Sequence, residues 1–87
     1  NNFYKLHFSI ILMLSAKEAA QVAAEYLEDI KNIYDVSLEE IEFSRTENLW
    51  LVTLSYTPSS LLGADKEYKI FKVDADDGEV LSMKLLR

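Results

Sequence analysis

The sequence predicts an α+β domain in which one N-terminal helix packs on an antiparallel sheet of four to five strands. One segment near the N-terminus has helical periodicity, and the segments after it show the two-residue alternation of strands. These strand-like segments follow one another without a second helix, which favours hairpin connections and an antiparallel meander. Because a helix with a single apolar face needs a partner layer, we expect it to cover one face of the sheet.

The predicted helix begins after Ser15, since Ser15 and Glu18 have the spacing of a capping box. The apolar residues that follow recur at helical spacing and define one face. They are Ala19, Val22, Ala23, Tyr26, Leu27, Ile30 and Ile33. The alanines on this face allow the helix backbone to lie close to the sheet.

The rest of the chain predicts strands. They are expected at residues 38–45, 49–56, 67–75 and 79–86. The first two are joined by a tight turn at Thr46, Glu47 and Asn48, because asparagine tolerates the left-handed region. A longer loop at residues 57–66 joins the second strand to the third.

Residues 1–14 allow two interpretations. From Tyr4 to Ile10 apolar residues alternate with the polar residues Lys5, His7 and Ser9, and the apolar face continues to Leu14, which favours a further strand before the helix. One lysine followed by an apolar run and small residues also resembles a signal peptide. As a strand, this segment would be a weakly protected edge and the expected route to a homodimer or to a partner. Pairing within its own sheet is the alternative.

Length and composition limit the possible functions. The 87 residues fit one domain spanning residues 1–87. A net charge of −6 argues against nucleic acid and anionic lipid as ligands, and a basic protein partner fits better. The charge can also serve solubility alone. The absence of cysteine excludes disulfides, thiol catalysis and zinc held by thiolates.

The acidic stretch VDADDGEV raises the question of a metal site. Counted from Asp74, Asp76 and Asp77 fall at positions 3 and 4, Gly78 falls at 5 and Leu85 at 12. A calcium loop of the EF-hand type needs acidic oxygens at 1, 3 and 5, glycine at 6 and glutamate at 12. The spacing does not fit, so no metal is expected. Asp-Gly between two strand patterns predicts a hairpin turn instead.

No catalytic constellation is apparent, and the sequence predicts a protein that is not an enzyme and holds no cofactor. The only histidine, His7, lies on a candidate strand near the chain end, where a lone histidine is usually packed or solvated. We expect Glu39, Glu40 and Glu42 to form a solvated acidic edge rather than a catalytic carboxylate pair. The two glycines lie in predicted connections rather than in a phosphate loop. Trp50, Tyr56, Tyr68 and Phe71 could line a ligand cleft, but we expect them to form the core between helix and sheet.

The loop at residues 57–66 supplies the candidate partner-binding residues. They are Pro58, Ser59, Ser60, Leu61 and Leu62. Two leucines at the tip of such a loop either fold back onto the domain or stay exposed for a partner.

Three segments together resemble the PepSY family, which is named for peptidase propeptides: KEAAQVAAEYL, NLWLVTLSY and EYKIFKVDADDGEVLSMK. The similarity covers about Leu14 to Met83. The matching positions are Ser15, Ala19, Ala20, Ala23, Trp50, Val52, Tyr68, Val73, Asp74, Ala75, Gly78, Val80 and Leu81.

This resemblance implies a cystatin-like fold, an extracytoplasmic setting and a role in inhibiting or regulating a protease. It implies no catalytic residues. The long loop at 57–66 and the segment before the helix depart from the family pattern. Two other functions remain open at this point: an acidic immunity-type inhibitor of a basic toxin enzyme, and a structural dimerisation module.

Overall fold

The computed structural model describes residues 13–58 and 65–86. One helix is followed there by four strands: α1 Ala16–Lys31, β1 Ser37–Ser44, β2 Leu49–Tyr56, β3 Glu67–Asp74 and β4 Val80–Leu86. The strands form one antiparallel sheet in the order β1-β2-β3-β4. The predicted α+β fold is confirmed, and the boundaries of the four strands predicted after the helix lie within one residue of the observed ones.

The proposed strand before the helix lies outside the described residues, apart from its last two positions. Met13 and Leu14 belong to neither a helix nor a strand. None of the helical residues that the structure describes forms a segment long and apolar enough to cross a membrane.

Helix α1 is fixed at both ends by its own polar groups. The Ser15 hydroxyl accepts from the Glu18 N–H at 3.1 Å, and the Glu18 carboxylate accepts from the Ser15 N–H at 2.8 Å. This is the predicted capping box. At the other end Asn32 takes left-handed dihedrals (φ 59°, ψ 36°), and its N–H donates to the Glu28 carbonyl at 2.9 Å. Asparagine adopts this conformation at modest cost, so the helix stops there.

The core lies between α1 and one face of the sheet. Ala19, Ala23 and Leu27 of α1 are completely buried. The ring of Tyr26 meets Phe71 edge-on, with centroids 6.4 Å apart. The sheet contributes Val52, Leu54, Tyr56, Phe71 and Val73 to the same cluster. The short alanine side chains bring the helix close enough to the sheet to exclude water from this layer.

Three residues depart from the expected core. Ile30 is 55% exposed, because it lies in the last turn of α1, beyond the buried positions of the helix. Tyr68 is 37% exposed, because alternation places it on the opposite face of β3 from Phe71. Trp50 is only partly buried and packs at the margin of the core.

A β-bulge changes the side-chain pattern of β1. The pairing with β2 shifts between Leu38 and Glu40, so Glu39 is the extra residue. Leu38 pairs with Leu54 and Glu40 with Thr53, which places Leu38 on the helix side and Glu40 on the other. Simple alternation would have placed Leu38 and Glu40 on the same face.

Candidate protein-binding site

The acidic stretch forms the β3–β4 turn, as predicted. The Asp74 carboxylate accepts from the N–H groups of Asp76 at 2.8 Å and Asp77 at 3.2 Å. The Asp77 carboxylate accepts from the Glu79 N–H at 2.9 Å, and the Gly78 N–H donates to the Asp74 carbonyl at 2.9 Å. These carboxylates satisfy backbone donors of the turn. Among the described residues no group of three or more candidate side chains could hold a metal ion.

Hydrogen bonds connect this turn to the β1–β2 turn and to the start of the helix. The Asn48 side-chain amide donates to the Asp76 carboxylate at 3.0 Å, and the Ala75 N–H donates to the Asn48 carbonyl at 3.2 Å. The Leu14 N–H donates to the Ala75 carbonyl at 2.8 Å, and the Trp50 indole N–H donates to the Leu14 carbonyl at 3.0 Å. We call this set of contacts the turn junction. It holds α1 in place over the sheet.

Glycine is required at position 78 of the turn junction for two reasons. Its φ is +76°, a left-handed conformation that is costly for residues with a Cβ. A Cβ there would also lie 3.2 Å from a methyl carbon of Leu14. Three residues of the PepSY-like pattern therefore stabilise one end of the domain: Trp50, Ala75 and Gly78.

The predicted partner-binding loop is only partly described. Pro58 is exposed. Ser59, Ser60, Leu61 and Leu62 lie outside the described residues, as does His7. The role of this loop in binding a partner stays a prediction.

One buried titratable group is part of the fold rather than of a reactive site. The Tyr56 hydroxyl donates to the Glu67 carboxylate at 2.9 Å. Burial, together with the hydrogen bond to Glu67 and the negative charge of Glu67, raises the pKa of Tyr56 to about 12. The phenol is therefore neutral at physiological pH and acts as a donor, not as a nucleophile.

This pair predicts a loss of stability at alkaline pH. Above the ordinary tyrosine pKa of 10.0 the unfolded chain loses its proton while the folded chain keeps it until about pH 12. Between pH 10 and pH 12 the unfolded state binds fewer protons than the folded state. The free energy of unfolding therefore falls as pH rises, by roughly 2–3 kcal/mol at most. Urea unfolding from pH 8 to 12 should show this fall in the wild type. Tyr56→Phe should lack it, and parallel curves for the two proteins would contradict the assignment.

A shallow apolar groove runs between the helix and the outer strand β1. Its volume is about 390 Å³. The helix side is formed by Lys17, Ala20, Gln21 and Ala24, and the sheet side by Val36, Leu38 and Leu54. Leu54 is almost completely buried at its base, whereas Leu38 is 50% exposed at its rim. The groove is open because Ala20 and Ala24 have short side chains where the helix faces β1.

The edge of β1 next to the groove carries negative charge. In the part of the chain that the structure describes, β1 pairs only with β2, so its other edge has no strand beside it. Glu39, Glu40 and Glu42 are all exposed, which confirms the predicted acidic edge. The Glu39 carboxylate accepts from the Ser55 hydroxyl at 2.6 Å and lies 3.9 Å from the Lys66 ammonium. Glu40 and Glu42 make no ion pair with a described residue.

No local sequence pattern directly predicts this groove. Its rim depends on Leu38, and Leu38 reaches the helix side only because of the bulge at Glu39. The available signal was the spacing of Ala16, Ala20 and Ala24, a second alanine row beside the apolar stripe. Such a row is typical of a helix flank that leaves space next to its neighbour.

No protein-family model, curated protein or solved structure matches this chain significantly. The PepSY resemblance therefore stays a prediction.

Proposed function

We propose that this domain is a non-enzymatic protein-binding module that takes up an extended, basic segment of a partner along the outer edge of β1. The observation that carries the proposal is the position of this edge between an apolar groove and three exposed glutamates. An edge strand offers unpaired backbone groups to such a segment.

The three parts of the site would recognise different features of one strand. The backbone of β1 supplies hydrogen bonds that do not depend on the partner's sequence. The groove accepts one apolar side chain, which would lie against Leu38 and Leu54. Alternate side chains of a strand point to opposite faces, so lysine or arginine residues next to the apolar one would approach Glu40 and Glu42.

The acidic residues also disfavour pairing of β1 with the β1 edge of a second copy. Like charges brought opposite one another across strands are destabilising. The same charges attract a basic segment and increase its association rate at low salt. The site thus selects a heterologous, basic strand over its own.

The PepSY resemblance makes a protease the first class of partner to test, with this domain as its inhibitor or regulator. The acidic edge also suits the alternative of an immunity-type protein that neutralises a basic toxin enzyme. Both partners would use the same site, and only the identity of the protein bound separates them.

The experiment is a titration followed by amide NMR, using a ten-residue peptide of alternating valine and lysine. We expect shifts concentrated in residues 37–44 and around the groove, with affinity falling as salt is added. A peptide with proline at alternate positions, which lacks the backbone donors, should not bind. Leu38→Asp should weaken binding by about tenfold or more, because it removes apolar contact area and adds a charge at the groove.

The matched control is Leu81→Asp on the opposite edge strand, where Leu81 is similarly exposed at 51%. It should leave peptide binding unchanged. Shifts concentrated on β4, or equal binding by Leu38→Asp and the wild type, would contradict the proposed site. Inhibition of a protease by the wild type and not by Leu38→Asp would then identify the partner class.

A further inference from the structure

The sheet face that points away from α1, which we call the open face, carries apolar residues at its centre beside the buried polar residues Thr53 and Ser55. Leu51 and Ile70 lie half-buried there on the two inner strands, next to Thr53. Tyr68 and Leu86 continue the face at 37% and 49% exposure. In the part of the chain that the structure describes, no element covers this face.

The charges at the two margins of the open face differ in sign, while on the inner strand β3 Lys72 is paired with Glu47 and the Asp74 carboxylate accepts from N–H groups of the β3–β4 turn. Glu40 and Glu42 lie on β1, whereas Lys84 lies on β4 at the other margin. One row across the sheet runs Glu40, Thr53, Ile70 and Lys84. Glu40 and Lys84 are about 14 Å apart, three strand spacings, so they cannot pair with each other within one molecule.

Two copies of this face have matching charges when they are related by a two-fold axis that runs parallel to the strands. The rotation places β1 of one molecule over β4 of the other, so Glu40 meets Lys84 at both ends of the row. It also places Thr53 over Ile70 and Leu51 over Lys72, so the Leu51 and Ile70 side chains of both copies gather around the axis. A two-fold axis perpendicular to the strands would instead bring Glu40 towards Glu42, which like charges oppose.

We infer that the open face is a homodimer interface, in which two sheets pack face to face around this axis. Packing of antiparallel sheets through one face of each is a common arrangement. The partner is a second copy of this chain, because the opposite margins of one face already supply the matching charges. This interface leaves the backbone edge of β1 and the groove free for the proposed partner strand, but both sites use Glu40, so a basic strand and a second copy would compete for that carboxylate.

The size of the face predicts a weak dimer. Four strands of seven or eight residues present a surface of about 19 by 25 Å, so two copies would bury roughly 950 Å² in total, which is below the area of stable specific interfaces and in the range of weak ones. We therefore expect a dissociation constant in the micromolar range, with a marked dependence on salt.

The test is sedimentation velocity of the full chain at about 5–500 µM, with Glu40→Lys and Lys84→Glu as single variants. Each variant places like charges at both ends of the row, so each should raise the dissociation constant at least tenfold. An equimolar mixture of the two should form a heterodimer, because both charge contacts are then of opposite sign. The double variant should dimerise like the wild type. Lys17→Glu changes net charge as Lys84→Glu does but lies on the helix, and it should leave the dimer unchanged.

Circular dichroism spectra of both single variants should match the wild type, since the two side chains are exposed. A wild type that stays monomeric at 500 µM would overturn the inference. A dimer that neither single variant weakens would also overturn it and would indicate another interface, such as the segment before the helix. Failure of the mixture to dimerise would exclude the two-fold contact between Glu40 and Lys84. None of these results depends on peptide binding at β1.

Discussion

Phe71→Ala is expected to lower the free energy of unfolding by about 3–5 kcal/mol, the range for removing a large buried aromatic side chain. Phe71 is completely buried on an inner strand, opposite Val52 and Met83 and edge-on to Tyr26. Truncation would leave a cavity between α1 and the sheet, where Phe71 packs in the buried cluster. A domain of this length is typically stable by roughly 4–13 kcal/mol, so the variant loses a large part of the total.

Urea unfolding followed by far-UV circular dichroism measures this loss. Phe71→Leu keeps most of the apolar volume and should cost clearly less than Phe71→Ala. Leu85→Ala is the surface control, because Leu85 is 36% exposed on the edge strand β4. If Phe71→Ala and Leu85→Ala cost the same, the core would not be centred where the structure places it.

The sequence predicted the fold well because its local signals agree with the tertiary structure. The capping box at Ser15 and Glu18, the left-handed Asn48 and the Asp-Gly turn each mark an element boundary through backbone chemistry of a few adjacent residues. The alternation of apolar and polar side chains every two residues then defined the strands. These signals need no knowledge of distant contacts, so they can be read directly from a single chain.

The candidate site was less predictable because it depends on register. The bulge at Glu39 moves Leu38 to the helix side, and nothing in the local sequence SLEEIEFS marks the extra residue. Glu40 and Lys84 share a row only through the pairing of all four strands. Sequence reasoning found the acidic edge of β1 but not the groove beside it or the open face behind it.

Trp50→Ala is the second substitution with a large expected effect, roughly 3–4 kcal/mol, towards the lower end of the range for large aromatic residues. Its ring packs beside Phe43, with centroids 5.1 Å apart, and it contacts the core only at the margin. Partial burial alone would predict a smaller loss. The additional cost arises because the indole N–H holds the Leu14 carbonyl, and through Leu14 and Ala75 the start of α1 is joined to the β3–β4 turn.

Trp50→Phe separates these two contributions. It keeps an aromatic ring beside Phe43 and removes the donor, so we expect a loss of about 1–2 kcal/mol from the hydrogen bond and the smaller ring. Hydrogen exchange should then quicken at the amides of Leu14 and Gly78, which lie in the turn junction, while the amides of β2 and β3 stay protected. An equal loss of protection throughout the sheet would mean that Trp50 acts only through packing. Unchanged stability of Trp50→Ala would mean that the junction is held by its backbone hydrogen bonds alone, and the indole would then be free to contact a partner.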